Sequence, residues 1–192
     1  MRSSLESVAA FLRTRRRKKI DDPRLVRAAV LVPFFERDGR LHLLLTRRTD
    51  TVEHHKGQIS FPGGTRDTGD VSATATALRE AEEEIGLPHD SVEVLGSIDD
   101  LATPTGFIIT PVVGMIAHLP DLRPHPQEVS EILFVPLSVF TDAANEASFD
   151  VERDGIRRRV YRYRFEGHEI WGATAAIIRE FLLELRAAGI VL

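Results

Sequence analysis

The 192-residue chain contains no cysteine, which excludes disulfides, thiolate nucleophiles and zinc sites built on sulfur. It also lacks any apolar run near the roughly 18 residues that a membrane-spanning helix needs. Its net charge of −4 and the absence of a nucleic-acid reader motif make neither nucleic acid nor a membrane an expected partner. The N-terminal basic cluster follows a short apolar patch, the reverse of a secretory signal, so we expect a cytoplasmic location.

Hydrophobic residues make up 43% of the chain and charged residues 28%, a composition that supports one globular domain with a short extension. Residues 3–13 carry apolar side chains at helical spacing and predict a short amphipathic helix. The basic run at residues 15–19 is interpreted as a solvated linker. We therefore divide the chain into an N-terminal helix with a basic linker, 1–26, and a single domain, 27–192.

Strand and helix patterns alternate through the domain. The runs AAVLVPFF and LHLLLT flank Asp38-Gly39, a turn pair typical of a β-hairpin. A helix is expected from about Val71 to Ile85, ending at Gly86, and another over residues 173–188. Further strands are predicted in VEVLGSI, FIITPVVGMIAHL and ILFVPL, and as a second hairpin at residues 148–152 and 158–165. The order indicates an α/β layered fold.

Three carboxylates share one face of the first domain helix. At about 100° per residue, Glu80, Glu83 and Glu84 fall within one arc and Glu82 falls on the far side. Like charges at this spacing destabilise a helix, and acidic groups near its C-terminus oppose the macrodipole. A bound hard cation would relieve the repulsion. A merely solvated, glutamate-rich helix end is the alternative that the helix alone leaves open.

The segment from Gly64 to Leu87 resembles the Nudix box, G-x5-E-x7-R-E-U-x-E-E-x-G-U, where U is aliphatic. The second half of the box is matched by Arg79, Glu80, Glu83, Glu84, Gly86 and Leu87. The first half departs from it, because Asp70 stands where the box has glutamate and eight residues separate it from Arg79. The chain is thus identified by resemblance as a member of the Nudix hydrolase superfamily.

A second signature upstream resembles the coenzyme A diphosphatase branch of that family, LLT-x-R followed by G-x3-FPGG. It is matched by Leu44, Leu45, Thr46, Arg48, Gly57, Phe61, Pro62, Gly63 and Gly64. Two positions depart: Thr49 replaces a small Ser or Ala, and Glu53 replaces an arginine. A guanidinium at the second position suits substrate phosphate, whereas a carboxylate repels it.

The resemblance implies the Nudix fold, a mixed β-sheet sandwiched between α-helices. It also implies Mg²⁺ or Mn²⁺ bound by Glu80, Glu83 and Glu84, and attack of water on a diphosphate. The small-molecule substrate would be coenzyme A or its thioesters, giving 3',5'-ADP and (acyl-)4'-phosphopantetheine. Another nucleoside diphosphate derivative, such as ADP-ribose, and a non-catalytic nucleotide-binding module stay open as alternatives. A homodimer is one assembly that the sequence leaves open.

Catalytic roles are expected for Glu83, Glu84 and Arg79, the last because it lies one turn before Glu83 and pairs with it. A further carboxylate in the loop before ILFVPL is a candidate general base, with Glu128 preferred to Glu131.

Substrate binding is expected of Arg48, Lys56, Gly63 and Gly64, the glycines because they let backbone approach metal or phosphate closely. Arg47 and Arg48 alternate along a strand end, so one of them faces the site. Asp67 and Asp70 are predicted to cap the carboxylate helix. Trp171 fits core packing and adenine stacking equally well.

Overall fold

A long antiparallel hairpin forms the centre of the fold. In the computed structural model, which describes residues 2–49, 57–153 and 155–192, β1 spans Val26–Arg37 and β2 spans Arg40–Arg48. The turn residues Asp38 and Gly39 both have positive φ, 52° and 71°, as a two-residue hairpin turn with right-handed strand twist requires. The hairpin prediction is confirmed.

The hairpin is the middle of a mixed eight-stranded sheet. The additional strands are β3 (Ile59–Ser60), β4 (Gly63–Thr65), β5 (Val92–Ser97), β6 (Leu101–Ala102), β7 (Phe107–Ile116) and β8 (Val129–Pro136). β1 pairs in parallel with β7, and β2 pairs antiparallel with β8. β5 flanks β7, and the two short strands β3 and β4 pair with β2 and β1.

Helices cover both faces of this sheet, as the sequence predicts. On one face α2, Ala73–Ile85, buries Ala77 and Ala81 against Leu31 and Leu44. On the other face α1, Arg2–Thr14, and α4, Gly172–Ala187, pack against alternate residues of the same strands. Short helices occur at α3, Ser138–Thr141, and at the 3-10 turn His89–Ser91. None of the helices described has the length and apolar character needed to cross a membrane.

A separate three-stranded antiparallel sheet lies on the α4 side. Its strands are β9, Glu146–Arg153, β10, Ile156–Phe165, and β11, His168–Trp171. The pairing of β9 with β10 confirms the second predicted hairpin, although Asp154 of its turn lies outside the described residues. The sequence did not predict β11, a four-residue strand that leads directly into α4.

The basic run is only partly a solvated linker. Arg15 is largely buried and its guanidinium binds Asp99 and Glu184, while Arg17 lies 3.6 Å from Asp100. Arg16, Lys18 and Lys19 are exposed, as predicted. The interpretation as a linker was wrong for two of the five residues, because acidic partners distant in sequence fold against them.

Candidate active site

The carboxylate helix begins at Ser72. The Ser72 hydroxyl accepts a hydrogen bond from the Ala75 backbone N–H at 3.1 Å, which satisfies one of the unbonded amides of the first turn. The prediction that Asp67 and Asp70 cap this helix was wrong. At its other end Gly86 adopts the predicted left-handed conformation, φ 66°, and its N–H bonds the Glu82 carbonyl at 2.9 Å.

Asp70 is instead the partner of Arg79. Its two carboxylate oxygens accept hydrogen bonds from Arg79 Nε at 3.2 Å and Nη2 at 3.0 Å. This pairing, together with the Asp67 backbone N–H, holds the pKa of Asp70 well below its ordinary value and raises that of Arg79. Sequence reasoning missed this role, although the signal was present: Asp70 stands where the Nudix box has a carboxylate.

Arg79 connects the helix to β4 and to two of the three glutamates. Its Nη2 donates to the Thr65 carbonyl at 3.1 Å and lies 3.0 Å from Glu80, while Nη1 lies 2.8 Å from Glu83. The pairing of Arg79 with Glu83 agrees with the geometry expected from their spacing. With Asp70 fixing the guanidinium, Arg79 is able to set the orientation of both carboxylates.

Glu84 lies at the floor of the site. Its side chain is only 4% exposed, with one oxygen accepting from the Gly63 backbone N–H at 3.2 Å and the other 3.6 Å from Arg48 Nη1. Burial raises the pKa of Glu84 to about 8, against the opposing effects of the Gly63 amide and Arg48. A buried carboxylate with so little neutralisation is a group that a cation would stabilise.

Glu80 and Gly64 are packed in direct contact. A Cβ atom added at Gly64 would lie 2.5 Å from the carboxylate carbon and both oxygens of Glu80. Burial raises the pKa of Glu80, with the neighbouring Arg79 opposing the shift. At Gly63 an added Cβ would lie 2.4 Å from the Ala29 carbonyl oxygen. Each glycine therefore permits a close approach, one to the Glu80 carboxylate and one to the adjacent strand.

Three further glutamates, Glu82, Glu128 and Glu131, differ in their position relative to Glu80 and Glu84. Glu82 is exposed and lies 3.2 Å from His89, away from the site as predicted. The loop that carries Glu128 is bonded to the carboxylate helix: the His125 N–H donates to the Glu84 carbonyl at 2.8 Å, and the Glu128 N–H donates to the His125 carbonyl at 3.0 Å. The charge of Glu128 also raises the pKa of both Glu80 and Glu84. Glu131 lies instead beside Arg47 and His168. This placement favours Glu128 over Glu131, and its role as a base stays a prediction.

The two arginines at the end of β2 face different groups. Arg48 points to Glu84, whereas Arg47 lies 4.0 Å from Glu131. Lys56, a predicted phosphate ligand, lies outside the described residues, as does Glu53. Trp171 is 41% exposed, so core packing is the wrong alternative for this side chain.

The donor set of the site suits a hard divalent cation. Glu80, Glu83 and Glu84 offer only carboxylate oxygens, the ligands that Mg²⁺ and Mn²⁺ prefer. Within residues 2–49, 57–153 and 155–192, no three acidic or imidazole side chains are already gathered into a metal-binding group. Arg79 lies nearest to one oxygen of Glu80 and one oxygen of Glu83, and each carboxylate has a second oxygen with which to bind a cation.

Comparison with known proteins gives one consistent family. Residues 25–154 match the NUDIX domain. The chain is 43% identical over 159 residues to a protein of Photorhabdus laumondii described as an uncharacterized Nudix hydrolase, NudL, covering 83% of this chain and 84% of that one. It is 44% identical over 153 residues to NudL of Yersinia pestis, covering 80% and 76%.

Solved structures agree at the level of the fold. A Nudix hydrolase from M. smegmatis, RenU, aligns with a TM-score of 0.59 at 21% identity, over 87% of this chain and 89% of that one. A MutT/nudix family protein from Enterococcus faecalis aligns with a TM-score of 0.54 at 15% identity, over 95% and 70%. The mixed sheet between helices is thus an arrangement shared with these proteins.

Proposed function

The chain belongs to the Nudix hydrolase family, and we propose that it hydrolyses the diphosphate bond of coenzyme A or its thioesters. Nudix hydrolases act on nucleoside diphosphate derivatives and generally need divalent metal ions. For this chain, we propose coenzyme A or its thioesters as the substrate and Mg²⁺ or Mn²⁺ as the ion.

One observation carries it: residues of the two sequence signatures meet at Glu84. This glutamate belongs to the Nudix box, and its two oxygens contact Arg48 of the LLT-x-R segment and Gly63 of the FPGG segment. The segments that resemble the coenzyme A diphosphatase branch therefore lie beside Glu84, which we assign to the reaction site. That position suits residues that select the substrate, because they adjoin the place where a diphosphate would bind.

The chain's own residues account for the main requirements of the reaction. Arg48 would bind a phosphate oxygen, since a guanidinium makes strong charge-assisted hydrogen bonds to phosphate. Arg79, fixed by Asp70, acts as a positioning residue for Glu80 and Glu83. Mg²⁺ or Mn²⁺ held by the three box glutamates would neutralise the diphosphate and make water a better nucleophile.

Glu128 would accept the proton of the attacking water. Water oxygen forms the new bond to one phosphorus, the bridging P–O bond breaks, and the bridging oxygen leaves with the other phosphate. From coenzyme A the products are 3',5'-ADP and 4'-phosphopantetheine. The half-exposed position of Glu128 leaves its carboxylate accessible to water.

A side-by-side substrate screen tests the proposal. Coenzyme A, acetyl-coenzyme A and ADP-ribose are each incubated with enzyme and Mg²⁺, Mn²⁺ or EDTA, and products are separated by chromatography. We expect metal-dependent release of 3',5'-ADP from both coenzyme A compounds, abolished by EDTA. Absence of 3',5'-ADP at high enzyme concentration would overturn the substrate assignment.

The second candidate is a Nudix hydrolase of another nucleoside diphosphate derivative. Glu53, standing where the coenzyme A branch has arginine, favours it, because a carboxylate there would weaken binding of a phosphate-rich substrate. In the same screen, AMP release from ADP-ribose faster than turnover of coenzyme A would establish this alternative. No hydrolysis of any substrate would favour a nucleotide-binding module.

A further inference from the structure

A second cleft lies at the end of β2, beside the turn between β10 and β11. Its volume is about 490 Å³, within the range of small-molecule binding sites in proteins, roughly 300–1,000 Å³. We propose that this cleft binds the purine base of the substrate, stacked against the indole of Trp171. The residues that matter here are Arg47, Gln58, Ile59, His168, Glu169 and Trp171.

The indole of Trp171 is exposed on a backbone that is held at both ends. Its backbone is paired with Arg162 of β10, and the preceding residue, Ile170, is completely buried. On the other side, the Thr174 hydroxyl donates to the Ile59 carbonyl at 3.2 Å and ties the start of α4 to the cleft wall. An aromatic side chain of a residue that is 41% exposed is suited to stacking on a planar base.

The charges around the cleft distinguish a base from a phosphate. Glu169 lines the cleft, and its carboxylate lies 3.0 Å from Arg162 and 3.6 Å from Arg164, so the lining has no excess of positive charge that would select an anionic group. Arg47 and His168 supply hydrogen-bond donors, although both also lie near Glu131. A purine ring is uncharged and carries donors and acceptors on its edges, so it matches a cleft of mixed polarity better than a phosphate does.

The cleft and the Glu84 site lie at the same end of β2, on its two sides, because neighbouring residues of a strand point in opposite directions. A substrate bound at both would pass around the end of the strand. Arg47 lines the cleft and its neighbour Arg48 contacts Glu84; their Cα atoms are about 3.8 Å apart. Ile59 also lines the cleft, and the four residues from there to Gly63 span at most roughly 14 Å. The inference rests on the proposed function only in assuming that the substrate contains a nucleoside diphosphate.

Intrinsic fluorescence reports on this cleft alone, because Trp171 is the only tryptophan in the chain. The full-length enzyme in EDTA, which prevents hydrolysis, is titrated separately with AMP, 3',5'-ADP and 4'-phosphopantetheine. Excitation is set at the red edge of the indole absorption, where adenine does not absorb. We expect saturable quenching by the two adenine nucleotides and none by 4'-phosphopantetheine.

Kinetics of variants provide an independent readout. Trp171→Ala should raise KM for the best substrate by roughly tenfold, at the low end of what one base–aromatic stack contributes, with kcat changed little. Trp171→Phe should recover most of the loss because it keeps an aromatic face. Val151→Ala is the matched control: Val151 is also 41% exposed and lies in the same three-stranded sheet, but outside the cleft lining.

The outcomes separate this inference from the substrate proposal. Quenching by AMP together with hydrolysis of ADP-ribose but not of coenzyme A would keep the cleft assignment and reject the coenzyme A proposal. Quenching by 4'-phosphopantetheine alone would overturn the assignment of a base to the cleft. So would unchanged fluorescence with all three ligands, or a KM of Trp171→Ala equal to that of Val151→Ala.

Discussion

Replacing Gly64 with alanine should damage catalysis while leaving the fold intact. The added Cβ would lie 2.5 Å from the Glu80 carboxylate, whereas ordinary contact begins at 3.4 Å. To restore ordinary contact the carboxylate must retreat by about 0.9 Å, the difference between these two distances. Because the atoms that must move are the end of a flexible side chain, we expect the free energy of unfolding to change by less than about 1 kcal/mol.

A displacement of this size is large for a functional group. Misplacing a catalytic group by about 1 Å can lower the rate by about 10²-fold, so we expect kcat of Gly64→Ala to fall by that order. The assay is product release at saturating substrate, repeated over a series of Mg²⁺ and Mn²⁺ concentrations. Displacement of Glu80 should also raise the metal concentration that gives half-maximal rate.

Two other glycines serve as controls. Gly69→Ala places its Cβ in open space and should keep wild-type activity and stability. Gly63→Ala places its Cβ 2.4 Å from the Ala29 carbonyl oxygen, which is backbone, so it should lose at least the 1–3 kcal/mol or so typical of overpacking. Wild-type kcat and metal dependence in Gly64→Ala would refute the position assigned to Glu80.

Three further substitutions test the helix cap, the Asp70–Arg79 pair and the ion pairs of Arg15, each by thermal unfolding. Ser72→Ala should destabilise the protein by about 1 kcal/mol through loss of the helix cap, whereas Asp67→Ala should have little effect; the opposite ranking would contradict the capping assignment. Asp70→Asn should lower Tm at neutral pH. Because folding lowers the pKa of Asp70, the difference in Tm between the variant and the wild type should shrink as the pH falls below 3.8, the ordinary pKa of this carboxyl. A difference in Tm that grew on acidification would contradict a lowered pKa. Arg15→Ala should destabilise the protein by about 1–3 kcal/mol, because it leaves the partly buried carboxylates of Asp99 and Glu184 without this partner. Arg16→Ala, at an exposed position, should change stability by less than about 0.5 kcal/mol. Equal effects of the two substitutions would contradict the packing of Arg15.

Local sequence patterns were sufficient to predict the helix that carries the three glutamates and the hairpin beside it. The spacing of Glu80, Glu83 and Glu84 depends only on the helical repeat, and Gly86 ends that helix where a left-handed residue is needed. The turn at Asp38-Gly39 likewise follows from two residues that tolerate positive φ. Each of these features is determined by neighbours in the chain, and each was predicted.

Features that depend on distant partners were missed. Asp70 resembles a helix cap in sequence, but its carboxylate is bound by Arg79 nine residues later and Ser72 takes the cap. Arg15 binds Asp99 and Glu184, which no local pattern indicates. The strands β3 and β4, of two and three residues, are too short to show a hydrophobic repeat and lie in a glycine-rich stretch.

We propose that the buried carboxylate of Glu84 takes part in metal-dependent diphosphate hydrolysis. The most direct measurement compares Glu84→Gln with Glu82→Gln, an exposed neighbour on the opposite side of the same helix. With Mg²⁺ and coenzyme A, we predict that Glu84→Gln loses about 10²-fold or more in the rate of 3',5'-ADP release and binds metal more weakly by calorimetry, while Glu82→Gln retains wild-type values. A folded Glu84→Gln enzyme with the wild-type rate and metal requirement would contradict the account.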